Sequence, residues 1–126
     1  ADDPSSAAQG MTMVLTSQQQ DALLLTGWLQ LQYGHPDKAS VLLAALLQIH
    51  PDHQGGRRTL LVALLKQGEG EAALAHVDQL MQQREADGPL WLCRSRACQL
   101  AGRLDEARFA YQQYLELEEQ NESTLP

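Results

Sequence analysis

Between residues 19 and 33, apolar side chains stand at 22 to 25, 28, 29 and 31. That spacing belongs to a helix and not to the alternation of a strand. Gly34 ends the run, and Pro36 suits the first turn of a second helix that carries "ASVLLAALLQI" as far as Pro51. Gly55 and Gly56 are expected to loosen the next turn. A third helix is predicted from about Arg57 to Gln67, stopped by Gly68, and a fourth from Glu71 to about Arg84. "ADGP" at 86 to 89 supplies cap residues and a first-turn proline for a fifth helix through "LWLCRSRACQLA". Gly102 stops it, and a sixth runs from Asp105 to about Glu119. The tail "QNESTLP" has nothing to bury and is expected to fray. No segment alternates with period two for long enough to make a strand, so the pattern predicts an all-α chain of six helices in three hairpins.

The punctuation repeats. "GHPDKA" at 34, "GEGEAA" at 68 and "GRLDEA" at 102 place Gly34, Gly68 and Gly102 at intervals of 34 residues, and likewise Ala39, Ala73 and Ala107. Glycine stops a helix cheaply in the left-handed conformation. A small residue five positions on allows the two helices of a hairpin to cross closely. Both features make the fold and report no ligand.

A period of 34 built from helical hairpins resembles the tetratricopeptide repeat. Gly27, Gly34, Ala39 and Pro51 fall on its small, turn, crossing and terminal-proline positions. Trp91, Gly102, Ala107, Tyr111 and Leu115 fit in the third unit. The middle unit departs from the pattern, with Leu61 for the small residue and Glu85 for the proline. The repeats are expected at about 20–53, 54–87 and 88–119, in a single domain over 11–119 that forms a short right-handed superhelix.

The runs "LLLTGWLQLQYGHPDKA", "GGRR", "WLC" and "ARFAYQQYLELEEQNES" also resemble the YscY family, small cytoplasmic chaperones of bacterial type III secretion. The resemblance implies a secreted partner of the YscX family, held as a heterodimer, and engagement of the export-gate protein YscV. It leaves two related readings, a needle-subunit or translocator chaperone, and a generic tetratricopeptide adaptor. The repeat's groove positions transfer to Leu24, Trp28 and Leu31 in the first unit, Arg58, Val62 and Leu65 in the second, and Leu92, Arg96 and Gln99 in the third. Leu24 and Trp28 stand where carboxylate-clamping tetratricopeptide domains carry polar residues, which favours an apolar ligand. Apolar residues wrap most of the first helix, and a helix apolar all round must be covered on more than one side. The cover is expected to be another chain, against the alternatives of residues 11 to 18 folding back or of self-pairing.

Charge narrows the partners. With 16 acidic against 9 basic residues the net charge is -7, which disfavours nucleic acid and anionic membranes. No apolar run approaches the roughly 20 residues that span a bilayer, so membrane insertion is not expected. Residues 1 to 10, "ADDPSSAAQG", read as a cloning remnant or a disordered segment ahead of Met11, and 120–126 as an acidic tail.

Neither enzymatic chemistry nor a cofactor is expected. "HPDH" places His50 and His53 around a helix-breaking proline, without a cysteine nearby in sequence, and reads as solvated loop histidines instead of a zinc site. On a helix Cys93 and Cys98 lie about 140° apart around the axis, which prevents an internal bridge. They read as small hydrophobes. A zinc-dependent or thiol enzyme using His50, His53, Cys93 and Cys98 is the alternative from a different class.

Overall fold

The computed structural model describes residues 14–123. It has six helices, α1 Ser17–Gln32, α2 Pro36–Ile49, α3 Gln54–Lys66, α4 Gly70–Gln83, α5 Gly88–Leu100 and α6 Leu104–Ser123, and no strand among the described residues. Residues 1–10 lie outside the described residues.

Local chemistry sets most of the boundaries. Thr16 caps α1 reciprocally: its hydroxyl accepts from the Gln19 amide at 3.1 Å, and its own amide donates to the Gln19 side chain at 2.9 Å. Pro36 opens α2, and the Asp87 carboxylate accepts from the Leu90 amide at 2.9 Å to open α5. The 34-residue period reappears as one cap built three times. Gly34, Gly68 and Gly102 take φ of 80°, 78° and 79°. The amides of His35, Glu69 and Arg103 reach back to the carbonyls of Gln30, Leu64 and Cys98 at 2.8, 2.9 and 2.8 Å. Each glycine amide meets the carbonyl three residues earlier at 3.1 Å, which completes a Schellman motif at every site.

Two boundaries differ from expectation. Gly55 and Gly56 lie inside α3, because His53 caps it: Nδ1 of His53 accepts from the Gly56 amide at 2.9 Å. A Cβ on Gly56 would stand 3.0 Å from Leu46 Cδ2, so glycine lets the first turn of α3 rest on α2. At the other end α6 continues past Glu119 to Ser123, since Gln, Asn and Glu do not break a helix.

The chain divides into two compact units, Ala1–Thr59 and Leu60–Pro126. In the first, α1 packs on α2, with Leu31, Leu43, Leu46 and Leu47 buried. Leu43 presses into the space over Gly27, where a Cβ would come within 2.8 Å of its Cγ. In the second, α4 packs on α5 and α5 on α6 around Leu61, Leu74, Val77, Leu80, Leu90 and Cys98. The crossing alanines are sealed: Ala39 and Ala73 are 0% exposed and Ala107 4%. Ser95 is the buried polar residue of this core, and its hydroxyl donates to the Ala107 carbonyl at 2.8 Å, which satisfies it.

Candidate partner-binding surface

Helix α1 buries one side, through Gly27 and Leu31, and leaves another open. Leu25 is 56% exposed, Trp28 47% and Leu29 37%. These residues, at i, i+3 and i+4, form one apolar stripe. Beside it lies a cleft of about 370 Å³ lined by Asp21, Leu24, Leu25, Trp28 and Thr59. Asp21 sets a carboxylate on an otherwise apolar wall. The cleft is bounded on one side by Leu24, which approaches Gly55: a Cβ there would sit 3.3 Å from Leu24 Cδ2.

Of the sequence-predicted residues in this unit, Leu24 and Trp28 share the cleft and Arg58 is half-buried. Leu31 is placed differently. At 8% exposure it belongs to the core and is withdrawn as a contact, because it lies on the side of α1 that the fold already covers. In the second unit Val62 and Leu92 are exposed and Leu65 is packed on the core cluster. Arg96 is exposed and donates to Gln99 at 3.3 Å. Gln99 itself lines a cleft with Ser95, Leu104, Ala107, Arg108, Tyr111 and Gln112. Asp21 was legible from sequence, being one turn before Leu24 and two before Trp28. Thr59 was not, since only the fold brings it to α1.

The histidines are not simply solvated. Both are half-buried, and His50 Nε2 accepts from the Leu15 amide at 3.0 Å. His50 therefore ties the segment before α1 to the end of α2, while His53 caps α3. Each ring spends a nitrogen lone pair on the backbone. Among the described residues no group of three or more His, Cys, Asp or Glu is placed to hold a metal. Leu25, Trp28 and Leu29 are exposed, so residues 14 to 16 do not cover the stripe; residues 11–13 lie outside the described residues. Neither cysteine is in a disulfide; Cys98 is buried and Cys93 half-buried. Burial pushes the Cys98 thiol up, and the Arg94 charge offsets this in part, so it packs as a neutral thiol. In the folded protein an aromatic disulfide reagent is expected to modify Cys93 first and Cys98 only on unfolding. Equal rates would mean that the core face of α5 opens to water.

The tetratricopeptide repeat family matches residues 30–92. Curated relatives named chaperone protein YscY, from Yersinia enterocolitica and Yersinia pestis, are 52% identical over 113 residues, which covers 90% of this chain and 99% of theirs. The chain belongs to the YscY family. It is a tetratricopeptide chaperone of the type III secretion class, and no helix among the described residues is long and apolar enough to cross a membrane. The stripe at Leu25, Trp28 and Leu29 lies wholly before the matched repeat, which begins at residue 30.

Proposed function

We propose that the chain is a cytoplasmic chaperone that, without catalysis or cofactor, holds a secreted helical partner of the YscX family as a heterodimer and helps deliver it to the export-gate protein YscV. The observation that carries this reading is the stripe of Leu25, Trp28 and Leu29 beside the Leu24 cleft, on a helix whose opposite side is already packed. Covering what remains exposed of these side chains contributes roughly 1 kcal/mol each, about half of full burial. An apolar helix face fits the stripe, and a hydrogen-bond donor on the partner fits Asp21. Arg58, Val62, Leu65, Leu92, Arg96 and Gln99 extend the proposed contact set, with the two guanidinium groups reading acidic positions on the partner.

The test is co-expression with the secreted partner followed by size-exclusion chromatography and mass spectrometry of the bound chain. A 1:1 complex is expected. Without partner the chain is expected to self-associate through the open stripe. With partner at about a hundred times its Kd, folding gains about 2.7 kcal/mol. A monomeric chain that ignores the partner overturns the reading.

A further inference from the structure

The internal repeat shows what is missing at the end of α6. In the second unit Gly70, Leu74 and Val77 of α4 are all buried, and α5 covers them. A Cβ on Gly70 would strike the Ala97 carbonyl at 2.6 Å and the Ala101 amide at 2.7 Å. The start of α4 thus meets the end of α5, and the two helices are antiparallel. One period on, the same positions of α6 are Leu104, Arg108 and Tyr111. Leu104 is 60% exposed and Tyr111 46%, and Leu115 on the same side is 41% exposed. Ala107, the crossing residue, is still sealed, so α6 is covered on its α5 side and bare where the next helix of the array would lie. A cleft of about 380 Å³ bordered by Gln99, Leu104, Arg108, Tyr111 and Gln112 marks the place.

Charge selects the occupant. Beyond Leu115 the same face continues with Glu118 and Glu122, both exposed, and Glu116 and Glu119 stand beside them. A second copy packed antiparallel would bring the Asp105 and Glu106 of its own first turn towards these carboxylates along with Arg108, a poorer match than a first turn that is wholly basic. We infer that the α6 end face docks a helix of another protein, antiparallel to α6, with apolar residues on Tyr111 and Leu115 and Lys or Arg in its first turns over Glu118 and Glu122. The N-terminal end of its dipole adds to that attraction. Leu104 stands where α4 has Gly70, so the docked helix carries Gly or Ala opposite it. This inference rests on the repeat register and holds whatever occupies the α1 cleft.

The probes are two synthetic helical peptides of about the length of α5, sharing one Leu/Ala face, one with Lys and one with Glu in the first turns. Fluorescence anisotropy with the full chain at low salt is expected to show the Lys peptide binding at least about tenfold tighter, 1.4 kcal/mol, with the difference shrinking as salt screens it. Tyr111→Asp is expected to weaken the Lys peptide at least about tenfold and Trp28→Asp to leave it unchanged. Leu115→Asp gives the same reading if Tyr111→Asp melts early. Equal binding of the two peptides, no binding of either, or a loss caused by Trp28→Asp in place of the α6 variants overturns the inference. So does a homodimer in sedimentation that Tyr111→Asp dissociates.

Discussion

Trp28→Ala loses at least about thirtyfold in affinity for the secreted partner, the equivalent of about 2 kcal/mol, in the expected result. A large aromatic beside a cleft, flanked by Leu25 and Leu29, is the kind of anchor that concentrates binding energy. The magnitude of the folding cost decides whether the experiment is clean. Truncating a fully buried Trp or Phe costs about 3–5 kcal/mol of stability. Trp28 keeps 47% of its surface in water, so its truncation is expected to cost about 1–2 kcal/mol, and the variant keeps its helical circular dichroism. Binding measured well below the melting temperature then reads the contact itself. Val41→Ala is the control, since Val41 on α2 is 70% exposed and lies outside the clefts described above. If Trp28→Ala binds as tightly as the parent, the α1 stripe is not where the partner sits.

Gly70→Val is expected to lower stability by about 3 kcal/mol, at the upper end of overpacking costs. The new Cβ meets backbone on two sides, at Ala97 and Ala101, and backbone cannot rotate away as a side-chain tip can. The end of α5 must shift as a whole, and Ala97 and Cys98 of the core cluster shift with it. Val has better helix propensity than Gly by a few tenths of a kcal/mol, too little to offset the clash. At roughly 4 °C per kcal/mol for a chain of this size, the melting temperature falls by about 12 °C. Gly102 supplies the contrast, with φ of 79° and nothing within 4 Å of its missing Cβ. Asn, which tolerates the left-handed region, is expected to cost little at Gly102 and much at Gly70. Equal melting temperatures for Gly102→Asn and Gly70→Asn would show that α5 does not press on α4 as the packing indicates.

The legible part of this protein was its punctuation. Gly34, Gly68 and Gly102, the first-turn prolines and the crossing alanines were readable because each acts within a few residues of itself. A left-handed cap needs glycine wherever the helix goes, and a 34-residue period then implies hairpins stacked alike. The family resemblance was legible for the same reason, being carried by local runs. Side choice was not. Leu23, Leu24, Leu25, Leu29 and Leu31 are similar residues on one short helix, and periodicity alone could not say that Leu31 is sealed while Leu25 stands open. That depends on where α2 crosses α1 at Gly27, a contact made across 16 residues of sequence with Leu43. His50 looked like a loop histidine until the fold brought the Leu15 amide to it from 35 residues away. Gly70 carries no signal of its own in the sequence, since its reason is the backbone of α5 at Ala97 and Ala101. The sequence by itself determined where helices start and stop, because caps and periodicity are short-range. Only the tertiary structure decided which apolar face is core and which is left for a partner, because burial is a property of the neighbours that long-range packing supplies.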